Sequence, residues 1–395
     1  MPARAATRPS PRRPAGRAAS TRVRRAGPAP AGEPGPHAER IRRLLKALGP
    51  HDCDWALLTN PKDVAYCTGF LGGDSYLLLG PRERVVISDF RYEEELAPVR
   101  PLASIHIRQG PMTRAVADLL RAHGVRRCVV QGDVMTLAER DALAKAAGRD
   151  VRLVPVAGLV SALREVKDEH EVRLIRAAVR VQEQALLAVL PTIKPGQTEL
   201  EVAARIEAEM KTRGSREPGF QSIVAARANS SLPHYRPGPV RLVAGKALLI
   251  DWGAVVEGYH SDMTRTFALA RWHPTILEIY QIVLDAHRAA AAALAPGRST
   301  REIDAIARGY ITRHGYGPQF GHGLGHGIGL DGHENPRLSH MAGDTSLQPG
   351  MVVTIEPGIY LPGVGGVRLE DDYLITPRGA ENLCTLPLDQ DWSTL

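Results

Sequence analysis

Four carboxylates and a group of histidines between positions 234 and 370 are spaced as a metal site requires. Asp251 ends the apolar run Ala247–Ile250, and Asp262 follows eleven residues later at the head of a second strand-like run, Met263–Leu269. A chain reversal around Glu257-Gly258 would lay the two runs side by side and aim both aspartates at one point. The device recurs toward the C-terminus, where Met351–Ile355 precedes Glu356, a glycine-rich bend at Pro362–Gly366 turns the chain, and Glu370 follows. Two hairpins are thus expected to deliver two acids each to the interior. Buried carboxylates repel one another and are costly to desolvate, so a fold tolerates four of them when cations cancel the charge. Oxygen-rich donors with one imidazole suit two divalent ions, Mn²⁺ first by the hard-ligand majority, with Co²⁺ or Zn²⁺ as alternatives. The imidazole is expected from Phe320–Asn335, where His322, His326 and His333 sit among glycines. Such a pair of ions activates water and polarises a carbonyl oxygen. Within that stretch, Gly327–Gly332 matches G-x-G-x-x-G, but Pro336 arrives too soon for the helix a dinucleotide site needs, and that reading is rejected.

These residues need elements to hold them. Ile41, Leu44, Leu45 and Leu48 form the stripe of an amphipathic helix stopped by Gly49-Pro50. Strands are expected at Trp55–Leu58, Tyr76–Leu79, Val85–Ile87, Ile105–Ile107, Cys128–Val130 and Val151–Val156, with helices near 112–123 and 136–147. This alternation reads as an α/β domain over 37–162 with no dense group of histidines and acids, hence a scaffold or specificity domain. A boundary falls at Leu163–Lys167. Asp168 and Glu171 then form a capping box that opens a long helix. A second helix over 198–213 is expected to share a face of Leu200, Val202, Ala203, Ile206 and Met210. Further helices are expected near 274–293 and 300–314, with hairpins between, in an α+β domain over 168–395.

The charge count of +7 is a property of one segment. Eight of the 50 basic residues and one of the 43 acidic ones lie in residues 1–36, so the rest balances 42 against 42 and offers no bulk case for binding nucleic acid. That tail carries eight prolines and almost no large apolar side chain, and is expected to be a disordered extension rather than a targeting peptide or a nucleic-acid tether. Four scattered cysteines without a C-x-x-C pair read as reduced thiols, which favours the cytoplasm. No run is long and apolar enough for a transmembrane helix, so no membrane is expected as partner.

In "IDWGAVVEGYHSDMTRTF", "HGLGHGIGLDGHENPR", "TIEPGIY" and "GGVRLEDDYLIT" the chain resembles the proline-specific metallopeptidases of the pita-bread fold, the Xaa-Pro dipeptidases and aminopeptidase P. In the first domain "NPKDVAYCTGFLGG" looks like the strand-and-turn signature of the creatinase-like N-terminal domain. The resemblance implies hydrolysis of the bond between an N-terminal residue and proline, with Xaa-Pro peptides as partners and a homodimer as the assembly. It implies that Asp262 and Glu370 bridge the two metals, that Asp251 completes one site, and that His326 and Glu356 complete the other. By the same resemblance Glu356 is the general base for the attacking water. His333 stabilises the tetrahedral intermediate, and His234, in "SSLPHYRPG", closes over the substrate. His322 contacts the substrate or supports a ligand, Arg368 orients the acids, and Arg337 grips a terminal carboxylate. It also implies that a partner subunit's N-terminal domain limits substrate length. A creatine-amidinohydrolase-like enzyme shares the fold without needing this metal set. A methionine aminopeptidase shares the ligands but usually lacks the first domain and the "HENPR" segment. A non-catalytic peptide-binding module would be expected to lose ligands, and none is missing.

Overall fold

The computed structural model describes residues 35–395. Of the tail expected to be disordered over 1–36, residues 1–34 lie outside the described residues, while Gly35 and Pro36 are ordered as the cap and first residue of a helix. Helix α1 (Pro36–Ala47) starts one residue before the expected onset of order, on a proline whose fixed φ suits a first helical turn. It buries Ile41 and Leu44 in the core, where the capping residue Leu48 joins them, each contributing about 2 kcal/mol by removal from water. The chain continues through β1 (Ala56–Leu58), α2 (Pro61–Thr68), β2 (Tyr76–Leu79), β3 (Arg84–Ser88) and β4 (Ser104–Ile107). It then forms α3 (Met112–Ala122), β5 (Arg127–Gln131), α4 (Leu137–Ala147), β6 (Arg152–Val156) and α5 (Leu159–Arg164). The six strands make one mixed sheet in the order β4-β3-β2-β1-β5-β6. All six strands stand where their apolar runs predict them, within a residue or so at each end.

Two local expectations need correction. The segment 60–73 is not strand and turn alone, because its first half is helix α2. Asn60 caps it by accepting from the Lys62 amide, Pro61 takes the first helical position, and Gly69 ends it in the left-handed region at φ 75°. The short helix α5 was not foreseen either, and its last residue, Arg164, falls inside the expected boundary.

The C-terminal part opens on α6 (Glu169–Val189), whose Asp168–Glu171 capping box forms as expected, and α7 (Glu199–Thr212). In α7 Val202, Ala203, Ile206 and Met210 are buried, but Leu200 is 58% exposed and the side chain turned inward beside them is Glu199. At about 100° per residue, Leu200 lies outside the stripe and Glu199 within it. Next come β7 (Ile223–Ala226), β8 (Ala247–Trp252), β9 (Val255–Val256), β10 (Tyr259–His260) and β11 (Met263–Ala268). Helices α8 (Pro274–Ala292) and α9 (Thr300–Arg313) follow, then β12 (Gly325–Gly327), β13 (Glu334–Leu338) and β14 (Val352–Ile355). The chain finishes with β15 (Gly358–Leu361), β16 (Gly365–Arg368), β17 (Asp371–Thr376) and β18 (Gly379–Asn382). Two antiparallel sheets result, β11-β8-β7 and β13-β12-β14-β17-β18, beside the β15-β16 ribbon. Helices α6 and α7 share one apolar core with β7, β8 and β11 and with much of the N-terminal part. Helices α8 and α9 close a second core with β14 and the β15-β16 ribbon.

Candidate metal centre

Strands β8 and β11 pair antiparallel with Asp251 opposite Thr264, and the small β9-β10 ribbon makes the reversal between them. Asp262 stands just before β11, where its amide donates to Asp372 Oδ2 at 3.1 Å. The second acidic pair is arranged differently from a simple hairpin. Glu356 leaves the end of β14, the β15-β16 ribbon intervenes, and Glu370 returns just before β17, which pairs back onto β14. Both acids therefore sit at crossings between sheets rather than within strands.

His326 occupies the middle of β12, flanked by Gly325 and Gly327. A Cβ at either glycine would run into a carbonyl, that of Thr354 or of Asn335, so the glycines let β12 slip between β13 and β14. The motif G-x-G-x-x-G that begins at Gly327 is a turn between two strands, with no helix after it.

These placements gather five donors. One oxygen from each of Asp251, Asp262 and Glu370 lies within 4.8 Å of the others, and a second such group joins His326, Glu356 and Glu370. A third links Asp262, His326 and His333. Asp251, Asp262, Glu370 and His326 are all buried, and Glu356 is half-buried.

The site's own chemistry tests whether a cation fits it. His326 Nδ1 lies 3.1 Å from the Gly327 carbonyl, which makes it the N–H donor of a neutral ring. Its unprotonated Nε2 then faces Glu356 Oε1 at 3.4 Å and Asp262 Oδ2 at 3.8 Å, three acceptors converging with no donor between them. Burial, then the neighbouring His333, holds the His326 imidazole well below its ordinary range and so neutral. Asp251 Oδ1 and Asp262 Oδ1 are buried without a hydrogen-bond partner. Burial followed by the charge of Glu370 drives Asp262 and Glu356 well above the usual carboxylate range. Burial followed by the charge of Asp251 pushes Glu370 to about 8. Orphaned oxygens, a lone pair aimed at them and acids resisting ionisation all fit a centre built for positive charge.

A supporting layer holds the donors. Arg368 donates to Asp251 Oδ2 at 2.5 Å, to Thr264 Oγ1 at 3.0 Å and to the Tyr360 hydroxyl at 2.9 Å. Thr264 in turn donates to Glu370 Oε2 at 2.7 Å, and Thr354 Oγ1 accepts from the His326 amide at 3.1 Å. Tyr360 also meets His322 Nε2 at 2.9 Å, while His322 Nδ1 lies 2.7 Å from the Gly323 carbonyl. Burial, then Arg368, lowers His322 to about 4, so Nδ1 donates to the carbonyl and Nε2 accepts from the tyrosine. Thr264, Thr354, Tyr360 and Asp372 were not singled out from sequence. Their only signal was nearness in sequence to the acids, because neither the three hydroxyls nor Asp372 closes an apolar run.

The donors line a cleft of about 590 Å³ whose wall also holds His234, His322, His333, Arg337 and Arg368. The rings of His326 and His333 lie 3.9 Å apart between centroids. His234, His333 and Arg337 are exposed at the rim.

Comparison with known proteins agrees with this geometry. The family model for the creatinase/prolidase N-terminal domain matches residues 40–166, and that for metallopeptidase family M24 matches residues 173–377. An Xaa-Pro dipeptidase of Pyrococcus horikoshii is 33% identical over 87% of this chain and 96% of its own. The solved structure of an Xaa-Pro dipeptidase from Bacillus anthracis superposes with a TM-score of 0.87 at 36% identity, over 91% of this chain and all (100%) of that one. The X-Pro aminopeptidase of Thermotoga maritima superposes with a TM-score of 0.83 at 30% identity, over 90% of this chain and 100% of that one. The chain carries a creatinase/prolidase N-terminal domain followed by a pita-bread domain, superposes on these peptidases over nine-tenths of its length, and belongs to metallopeptidase family M24.

Proposed function

We propose that this metallopeptidase hydrolyses the bond between an N-terminal residue and proline. The observation that carries the reading is the pair of donor groups sharing Glu370 at the base of an open cleft, in a chain whose similar proteins bear Xaa-Pro dipeptidase names. Asp251, Asp262 and Glu370 would hold one divalent cation, and His326, Glu356, Glu370 and Asp262 the other, with Mn²⁺ favoured by four hard carboxylates. The cations supply Lewis acidity toward the scissile carbonyl and lower the pKa of water.

The remaining tasks belong to the chain. Glu356, half-buried and facing the cleft, takes the proton of the attacking water. His333 lies against His326 and donates to the oxyanion as the carbonyl becomes tetrahedral. His234, which also lines the cleft, covers the substrate, and His322, held by Tyr360, touches it. Arg337, exposed at the rim, offers a fork for the carboxylate of a dipeptide. Arg368 orients Asp251. Residues 37–162 are read as the supporting domain and 168–395 as the catalytic one. A homodimer working in the cytoplasm completes the proposal. All four cysteines are buried and unpaired, which suits a reducing compartment, and none of the described helices is long and apolar enough to cross a membrane.

The test is turnover of an Xaa-Pro dipeptide against an Xaa-Pro-Xaa tripeptide with added Mn²⁺. Cleavage of the dipeptide alone identifies a dipeptidase, and cleavage of both identifies an aminopeptidase. Asp262→Ala or Glu356→Ala should abolish either reaction, and retained activity in these variants would overturn the assignment.

A further inference from the structure

The hairpin that carries His333 is gripped from outside the catalytic domain. Its turn joins β12 to β13 through Ile328–His333, and two acidic side chains flank His333 at Asp331 and Glu334. Neither acid points into the cleft. Asp331 meets Lys62 of α2 at 2.5 Å and Arg164, the last residue of α5, at 2.5 Å. Glu334 meets the same guanidinium at 2.6 Å and the Lys167 ammonium at 2.7 Å. Arg164 spends its other terminal nitrogen on Asp63 of α2, at 2.9 Å, and Asp63 is held from behind by Gln131 of β5 at 2.5 Å. The cluster contains three cations and three carboxylates and is neutral as a whole.

Burial gives the cluster its stiffness. The side chains of Arg164 and Lys167 are 5% and 0% exposed, and those of Asp63 and Glu334 are 6% and 9%. A guanidinium presents its donors in a fixed plane, so three carboxylates bound to one arginine are fixed relative to each other. Gly329 keeps the bridge possible, since a Cβ there would collide with the Glu334 carboxylate and lie 3.2 Å from Lys167 Cε. The turn is tied on its other side as well, where the His260 amide donates to the Gly329 carbonyl at 2.8 Å. Among the described residues the exposed His333 side chain has no hydrogen-bond partner, its ring resting only against His326, and its neighbours two before and one after supply the anchorage.

The geometry points to Arg164 as a positioning residue for His333, through which the chain's own N-terminal domain sets the reaching geometry of the catalytic hairpin. The inference rests on the Xaa-Pro peptidase reading and adds to it a same-chain role for the first domain, separate from any limit on substrate length. A displacement of a catalytic group by about 1 Å is worth up to about a hundredfold in rate, so a loosened turn reads out in kcat.

The experiment is a double-mutant cycle on the full chain with bound metal matched by direct analysis. Arg164→Met in the wild-type background should lower kcat for an Xaa-Pro dipeptide by about tenfold or more, with a smaller change in KM. In a His333→Ala background the same substitution should cost almost nothing, because the group it positions is gone. Arg164→Lys, which can serve one carboxylate and not three, should recover part of the loss. Where Arg164→Met does not fold, Asp331→Asn at the half-exposed rim of the cluster takes its place in the same cycle. An equal loss in both backgrounds would make Arg164 a purely structural interface residue and overturn the inference. A wild-type protein that cleaves no Xaa-Pro substrate would instead overturn the functional reading. The positioning is then read from amide exchange over residues 328–334, which Asp331→Asn should accelerate selectively; unchanged exchange there would sink the inference on its own.

Discussion

Arg368 shows how much a single side chain contributes to this centre. It is 3% exposed, and its guanidinium reaches Asp251, Thr264 and Tyr360 together. Burial alone would make it easier to deprotonate, but Tyr360, Asp251, Glu370 and Glu356 outweigh burial and hold it firmly charged. It therefore fixes one oxygen of Asp251 and leaves the other, Oδ1, buried without a partner, as the proposed cation site requires. Losing such a partner typically costs about 10–100-fold in metal affinity or activity. Arg368→Ala should fall in that range in a metal titration followed by calorimetry, and Arg368→Lys should recover little, since an ammonium cannot serve Asp251, Thr264 and Tyr360 at once. Unchanged affinity in both variants would reduce Arg368 to a packing residue. The four acids were legible as candidates in the sequence because they stand beside apolar runs or follow a glycine-rich bend, whereas His326 was set apart from His322 and His333 only by the family resemblance. Thr264 and Tyr360 were not, because a hydroxyl's role here depends on which neighbour the fold supplies.

At the scale of elements, hydropathy misleads at the start of α7. Leu200 was expected inside and is exposed, whereas Glu199 is fully buried. The Glu199 carboxylate accepts from the Ala226 amide at 2.7 Å, Asn229 Nδ2 at 3.0 Å, the Tyr235 hydroxyl at 2.8 Å and the Gly238 amide at 3.2 Å. These four donors span the segment that carries His234, so one helical carboxylate shapes a wall of the cleft. Removing it strands several buried donors, each costly to leave unpaired. Glu199→Ala should destabilise by about 3 kcal/mol in urea unfolding and raise KM by loosening the His234 segment. Leu200→Ala, by contrast, should stay within about 0.5 kcal/mol of the parent. A reversed ranking would refute this account of α7. Strands and long helices announced themselves by period and capping, as with the Asp168–Glu171 box. The short α2 and α5 did not, because fewer than three turns leave too little periodicity to separate helix from loop.

For the whole molecule, the neutral sum outside the tail conceals an internal imbalance that couples stability to pH and to metal. Asp251, Asp262, Glu356 and Glu370 gather around one cleft, while the Lys62–Arg164–Lys167 cluster joins residues more than a hundred positions apart, a pairing that no local pattern reveals. Glu370 has its folded pKa raised to about 8 from an ordinary 4.5, and Asp262 and Glu356 are raised in the same sense. A carboxyl raised on folding contributes stability that is complete below its unfolded pKa and is lost as pH climbs through the folded value. Buried His326, His322 and His287 act oppositely, because their lowered values make stability fall only as pH drops below 6.5. As pH rises beyond that point the histidines become neutral in both states, and the raised carboxyls, joined toward the alkaline end by the buried thiols of Cys67, Cys128 and Cys384, set the slope. Metal-free protein should therefore lose thermal stability steadily from about pH 6.5 to about pH 8.5. Cations at the proposed site would bind the deprotonated acids, so metal uptake should release protons and its affinity should grow across the same window. Scanning calorimetry with and without Mn²⁺ checks both statements, since the metal-dependent rise in Tm should widen as pH increases. A rise of constant size, with a flat metal-free Tm, would mean that these carboxyls do not share a charge-starved site.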